Sequence, residues 1–589
     1  SRTMASPSRR TETSRVATRN ALGRRTAWLR PVQKTFARPR SFEPVALRRR
    51  FVPPATQPPK DISIVYTIDG RILGTAADLA AAKRSIMSHP GPRSALLLAL
   101  WLAFLATTTT ASAAPTLKGR AVWANPREAG LTEASVVAYV EQLARAHVNT
   151  LIMELKTSGG LFWPSERFAP AVVAEYKEFD LPAVLIRECH KRGIAFHVWF
   201  FDFAEGASSY VVQQHPEWLA LSPEGKPTSA EVLRGQPYRM AWMCPARRPG
   251  YTDQWLIPVI KEFAERYDVD AIHHDYVRYP GDLAPDTYCF CDYCLEEIPK
   301  YASYYSTTHP DHPLLAPMDR PHLEAHWERS PKVLPPNWKD YGREMKSRLL
   351  LEGSFFPGGN RDLDYFFYEY RAHQIATFTR QVFEEVRKVK PRMEFSAAVF
   401  KNPVQSGRFI GQDWRRFSPW VQYLMPMDYR SHYGGDFETH LDLLAESIQQ
   451  QKAWARDFPH FWPGVAAYQL YDEERSPLTR LRGLLRDGGK DVAEMQAAFD
   501  KVAPRLKTHA PELHDALAAY LKEPKSPEEP AAKLDAFLAN VPEGYYPPER
   551  LTKVLERVRA QDVEGVVIFS SGGITSARLW KAVEEFFGK

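Results

Sequence analysis

The densest chemistry in this sequence lies in one run, Asp270-Ala271-Ile272-His273-His274-Asp275-Tyr276-Val277-Arg278-Tyr279-Pro280. A short apolar stretch there delivers a carboxylate, two imidazoles, an arginine and two tyrosines to one end. Strand alternation puts His273 and Asp275 on one face and Ile272 and His274 on the other, so an ionisable pair can face a cavity while the opposite side stays largely apolar. The competing reading is a capped strand end in which Asp275 only pairs with Arg278. A second cluster follows as C-x-C-x-x-C, with Cys289, Cys291 and Cys294 offering three soft ligands within reach of one ion. It reads as a structural zinc site, as a disulfide plus a spare thiol, or as plain packing. A fourth ligand is not specified, although His309, His312 and His322 follow. Cys189 and Cys244 read as buried thiols, and five cysteines make no disulfide framework in a chain of 589 residues.

The segments that must position these residues alternate between strand-like and helix-like periods from Arg120 onward. Strands are predicted at Arg120–Asn125, Thr150–Lys156, Ala195–Asp202, Asp270–Tyr279, Glu394–Phe400, Val421–Asp428, Trp462–Gln469 and Val563–Ser571. Helical stripes separate them, for example Val136, Val140 and Leu143 behind a capping Thr132. Eight such pairs predict an α/β fold, a (β/α)8 TIM barrel spanning 116–589, whose reactive groups gather at the C-terminal strand ends. Two long inserts interrupt it: a Pro-rich loop at 281–363 after strand four, expected to overhang the active end, and a charged helical segment at 476–549 after strand seven. An open doubly wound sheet is the rival, but no Gly-x-Gly-x-x-Gly turn follows the first strand.

Composition bounds the function. With 44% hydrophobic and 12% aromatic residues the chain can bury a large core. The net charge of +7 is misleading, because residues 1–50 alone carry +12 and the remainder is −5. A folded body of that balance, without a basic patch interleaved with aromatics, argues against nucleic-acid binding. Met87 opens a secretory-signal pattern: a basic start with Arg93, an apolar run from Ala95 to Ala106, then Ala111-Ser112-Ala113 as cleavage site. The run is short for a bilayer span, so cleavage after Ala113 predicts a secreted or periplasmic mature chain with no membrane span; an uncleaved signal that holds the protein at the membrane is the competing reading. Residues 1–86 then read as a disordered or non-native extension, with a single strand-like stretch at 62–66.

Several motifs in order resemble a known family. Arg120-Ala121-Val122-Trp123, Phe162-Trp163-Pro164-Ser165, His197-Val198-Trp199-Phe200, Ile272 through Pro280, Gln412-Asp413-Trp414 and Met425-Pro426-Met427-Asp428-Tyr429 resemble the series of the bacterial glycosyl-hydrolase-like family 10. These are secreted barrel proteins regarded as glycosidases. The sequence departs from the family's pattern at His274, where an apolar residue is usual, at Phe201, where a polar amide is common, and at Glu154 with Lys156, where Gln and Arg are typical. The resemblance implies hydrolysis of O-glycosidic bonds in a cell-envelope or environmental polysaccharide, with no cofactor required for the chemistry.

Glycoside hydrolysis needs two carboxyl groups flanking the bond, about 5–5.5 Å apart for retention or about 6.5–9.5 Å for inversion. The resemblance places Asp275 as the strand-four acid, commonly the nucleophile in related barrels. For its partner the order is Asp428, Glu154, Asp413 and then Asp202. Alternation counts against Asp428, because Met427 and Tyr429 would share the inward face. Asp413 also reads as a helix cap, and Glu154 as an ion-pair partner of Lys156. His273 reads as an aid to Asp275 or as a core histidine, and His197 as a further mouth residue. Trp123, Trp163, Trp199, Tyr276, Tyr279, Tyr429 and Tyr468 would stack on sugar rings or plug the barrel, and Arg278 would hold an acidic sugar or Asp275. Two other functions stay open: a non-catalytic carbohydrate-binding barrel and a metal-dependent hydrolase using the cysteine loop.

Overall fold

The computed structural model describes residues 116–589 apart from 234, 282, 284–287, 309–337 and 353–362, together with two short strands near the N-terminus. The chain divides into two units, 1–110 and 111–589. In the first, Ile64–Tyr66 pairs antiparallel with Ile72–Thr75. The signal-segment reading at 87–113 lies outside the described residues, as do His309, His312 and His322. Among the described residues no helix is long and apolar enough to cross a membrane.

The second unit is a closed ring of eight parallel strands: β1 Gly119–Ala124, β2 Thr150–Thr157, β3 Ala195–Phe201, β4 Ala271–Asp275, β5 Glu394–Phe400, β6 Tyr423–Met427, β7 Gly464–Ala466 and β8 Gly565–Phe569. Each pairs with the next in sequence, and β8 returns to β1 in the register Gly565 to Gly119 and Phe569 to Trp123. This is the predicted (β/α)8 barrel. The main ring helices are α1 Glu133–Arg145, α2 Leu181–Lys191, α3 Ile257–Arg266, α5 Leu363–Val389, α6 Phe437–Trp454, α11 Glu549–Arg559 and α12 Trp580–Phe587. Helix α4, Asp292–Thr308, belongs to the excursion after β4, and α7 to α10 (Asp472–Arg486, Val492–His509, Pro511–Lys522 and Glu528–Ala539) lie between β7 and β8. Local sequence sets these boundaries: Thr132 caps α1 by accepting from the Ser135 amide, and Asp180 caps α2 through the Ala183 amide.

Two cores result. Outward-facing strand residues pack on the helices, and inward ones (Ala121, Trp123, Ile152, Trp199, Ala398, Met425 and Val567) fill the ring together with Trp462. Large residues fit there because small ones face them. A Cβ on Gly464 would lie 2.5 Å from the Trp123 ring, and one on Gly119 2.4 Å from Trp462. Gly464→Ala is therefore expected to overpack the interior and destabilise by about 1–3 kcal/mol. Chemical denaturation should show this as a lowered midpoint with an unchanged slope.

Candidate active site

Strand β4 is shorter than predicted and ends at Asp275, because Tyr276 adopts φ 51° and turns the chain out of the ladder. A left-handed tyrosine costs about 1–3 kcal/mol, a strain often found where a functional group is being aimed. The Tyr276 amide donates to the Asp275 carboxylate at 2.6 Å. Asp275 keeps 7% of its surface, and burial pushes its carboxyl up to about 7, against the pull of the Arg278 guanidinium, the Tyr276 amide and the nearby Trp199 indole. Arg278 itself is wedged among rings, with Cζ 4.8 Å from Trp242, 4.9 Å from Tyr276 and 4.8 Å from Phe400.

Glu154, from β2, is an acid on which the charge of Asp275 acts, while the acid that acts on Asp275 is Asp202. Burial pushes its carboxyl up to about 7 as well, and Asp275 and Glu128 push in the same direction. The Asn125 amide, at 3.1 Å from Oε2, opposes them, and the Arg127 charge does so more weakly. Glu154 is not paired with Lys156. A bulge between these two residues sets Glu154 opposite Trp199 but Lys156 opposite Phe200, which sends Lys156 to the outer face. There its ammonium meets Glu205 at 2.7 Å and the Tyr251 hydroxyl at 2.9 Å.

The other candidate acids are committed elsewhere. Asp428 turns toward α6, where one oxygen accepts from Tyr433 at 2.5 Å, Gln451 at 2.8 Å and Ser447 at 3.3 Å, as the alternation of Met427 and Tyr429 requires. Asp428→Ala is expected to cost about 1–3 kcal/mol by stranding these donors, while turnover is retained. A kcat loss matching that of Asp275→Asn would instead put Asp428 in the reaction. Asp413 caps the turn Trp414–Phe417 through the Arg415 amide and pairs with Arg415 and Arg416. Its neighbour Gln412 accepts from the Phe400 amide and closes the end of β5. Asp202 is wholly buried against His274, with Oδ2 2.8 Å from Nδ1, in the layer of Phe378 and Phe395.

The histidines lie below the mouth. Trp123 Nε1 can only donate, so the 3.0 Å contact makes His273 Nε2 an acceptor and leaves the proton on Nδ1. Nδ1 donates to Ser396 Oγ at 2.8 Å, whose hydroxyl is then free to donate to His197 Nδ1 at 3.2 Å. Burial holds His273 well below the usual imidazole range and His197 at about 4, so both are neutral. With both nitrogens engaged, His273 does not serve as a direct hydrogen-bond partner of Asp275.

Among the aromatics the outcome is divided. Trp199, Tyr276, Tyr429 and Tyr468 gather near the strand ends with Phe201 and Phe569. Phe201 lies 4.5 Å from Tyr276, and Phe569 is 5.4 Å from Tyr429 and 5.8 Å from Tyr468. The charge of Asp275 acts on Tyr429, which places that phenol beside it. Trp123 is 1% exposed and plugs the ring. Trp163 and Tyr279 fall outside the expected groove. Trp163 packs 4.9 Å from Phe263 of α3, and Tyr279 lies under Arg371 of α5 at 4.4 Å, because the chain has left the strand before residue 279. Not foreseen were Asn125, Glu128 and Trp242. Asn125 and Glu128 form a capping box after β1, an Asn-x-x-Glu spacing visible in the sequence.

Among the described residues Cys244 joins the cysteine cluster, with all four sulfurs within 4.8 Å of one another.

A model of the family Glycosyl hydrolase-like 10 matches residues 118–474, more than half of the chain and every candidate acid just described. The chain belongs to that family. This member of glycosyl hydrolase-like family 10 is similar to the glycosyl hydrolase YngK of Bacillus subtilis (strain 168), 24% identical over 162 residues, 25% of this chain and 28% of that protein. It is also similar to the glycosyl hydrolase DigH of Escherichia coli (strain K12), 23% identical over 175 residues, 28% of this chain and 39% of that protein. The matches thus span well under half the length of either relative. Among solved structures, a catalytic mutant of Gan42B, a GH42 beta-galactosidase from G. stearothermophilus, is 16% identical, covering 61% of this chain and 46% of that one with a TM-score of 0.39. The barrel itself rests on the strand pairing given above. The family match stops before most of the helices inserted between β7 and β8.

Proposed function

We propose that this family member hydrolyses O-glycosidic bonds of a cell-envelope or environmental polysaccharide, with Asp275 and Glu154 as the flanking carboxyl groups. The observation that carries the reading is the pair itself: two acids from different strands, each held near 7, with the charge of Asp275 raising the proton affinity of Glu154. A mouth of that kind can hold one proton and one charge at neutral pH, which is what cleavage of an acetal requires.

The roles follow from the neighbours. Asp275 has a guanidinium, a backbone amide and an indole favouring its anion against one acidic neighbour, Asp202, whereas Glu154 has the Asn125 amide and the weaker pull of Arg127 against two acidic neighbours. Asp275 is therefore the carboxylate that faces the developing positive charge at the anomeric carbon, and Glu154 the acid. Glu154 gives its proton to the departing glycosidic oxygen as the carbon–oxygen bond breaks. Water supplies the hydroxyl that ends on the anomeric carbon, and its remaining proton returns to the carboxyl pair. Trp199, Tyr429 and Tyr468 offer ring faces to sugar C–H groups.

The test is incubation of the full chain with a glycan panel that includes peptidoglycan strands, followed by mass analysis. The expected result is fragments heavier by one water per cleavage and no products from Asp275→Asn. Saturable glycan binding without turnover would sink the hydrolase and leave a carbohydrate-binding barrel. NMR of the first-formed anomer then fixes retention or inversion.

A further inference from the structure

Four of the five cysteines converge on one point, and the reaction proposed above uses none of them. We propose that Cys244, Cys289, Cys291 and Cys294 bind a single structural zinc ion that staples two active-end excursions of the barrel together.

The sulfur geometry points to one metal ion. Cys244 Sγ lies 3.5 Å from Cys294 Sγ and 3.7 Å from Cys291 Sγ, and all four atoms fall within 4.8 Å of one another. A zinc–sulfur bond of about 2.3 Å gives a tetrahedron with edges of about 3.8 Å, close to these separations. Disulfide sulfurs would lie about 2.05 Å apart. A polynuclear iron–sulfur cluster shares its thiolates among several metal atoms and would hold them farther from one another. Simple packing is a poor account too. Cys189 shows what a packed thiol looks like in this chain, buried in α2 and remote from the group, whereas the other four are no more than 1% exposed and meet at their sulfurs.

The surroundings suit thiolates. Four cysteines, each releasing a proton to solvent, leave two net negative charges around a divalent ion. The Arg247 guanidinium lies against Cys291 and near Cys244 and Cys294, where it offsets part of that charge. The Cys291 amide points at Cys289 Sγ at 3.5 Å, the second-sphere hydrogen bond that orients a metal-bound sulfur. Cys289-x-Cys291-x-x-Cys294 runs into the first turn of α4, while Cys244 arrives from the segment between β3 and α3.

The position gives the ion its purpose. Trp242, two residues before Cys244, forms one wall of the slot that holds Arg278, and Arg278 in turn acts on Asp275. The Phe290 amide donates to Leu221 O at 2.7 Å, tying the same two segments through backbone. A metal joining them would hold the Arg278 slot in register while staying clear of the reacting mouth.

The full chain, purified without added metal, should contain one zinc per polypeptide by elemental mass spectrometry. A thiol-blocking mercurial should release it stoichiometrically into a chromogenic chelator. Cys244→Ser and Cys291→Ser are each expected to lower the content to below ~0.2 per chain, while Cys189→Ser keeps it. Cobalt exchanged into the intact protein, which needs no variant to fold, should show intense thiolate-to-cobalt absorption. The proposal is overturned if the purified chain holds no metal and its four clustered thiols titrate as free or as disulfides. It is equally overturned if the bound metal is iron, or if Cys244→Ser retains full zinc. None of these outcomes depends on glycan turnover.

Discussion

Replacing Asp275 by Asn is expected to lower kcat on a cleaved glycan by about 10³-fold or more, about 4 kcal/mol of transition-state stabilisation. The substitution is close to isosteric and leaves Arg278 in its aromatic slot, so the loss reads the charge rather than the packing. Stability should move the other way. In the folded chain the Asp275 carboxyl is held at about 7 against an ordinary 3.8, so the folded state binds its proton more tightly than the unfolded chain does. Stability from that proton is complete below the ordinary value and is lost as pH rises through about 7. Asn carries no such cost, and Asp275→Asn should melt higher than the parent at pH 8 but not at pH 3.5. A variant that loses activity and also melts lower at pH 8 would make Asp275 a structural residue.

The second large effect belongs to Glu154→Gln, which removes the proposed proton donor. On an unactivated glycan the expected loss is about 10²–10⁴-fold, and on an aryl glycoside with a good leaving group it is small, because little protonation is needed there. The pH profile separates this from misfolding. Two neighbouring acids, both near 7, lose their protons in two coupled steps, so the parent should show a bell with its maximum close to neutrality. Its acid limb reports ionisation of the pair's first member and its alkaline limb loss of the remaining proton. Glu154→Gln should abolish the alkaline limb and keep the acid one. Equal losses on good and poor leaving groups, with the bell intact, would remove Glu154 from the acid role.

The barrel was legible because its signals are local and repeated: each strand carries its own apolar run, and caps such as Thr132 mark the helices. The place of Asp275 at the end of a buried strand was legible because the apolar run before it stops there. What failed was geometry that periodicity does not carry. Tyr276 breaks the ladder at a backbone angle no pattern announces, so Tyr279 falls in a different layer from the one strand alternation predicts, while Arg278 still acts on Asp275. Trp163 was judged by its motif rather than by its face. Asp428 was ranked first although its own parity pointed to α6, as it does in the structure. Cys244 stands 45 residues before Cys289, and no spacing rule links them until the fold brings the two excursions together.

The irregularity in β2 decides more than a pairing register. Two positions apart on a regular strand, an amine and a carboxyl would neutralise each other, and Glu154 would remain ionised at every pH the protein meets. One extra backbone unit diverts the amine to Glu205, and the abandoned acid becomes a reservoir that fills and empties around neutrality. The proton affinity of Glu154 is thus set by where a cation is missing as much as by burial, and a regular strand at this point would hold that carboxyl lower without touching it.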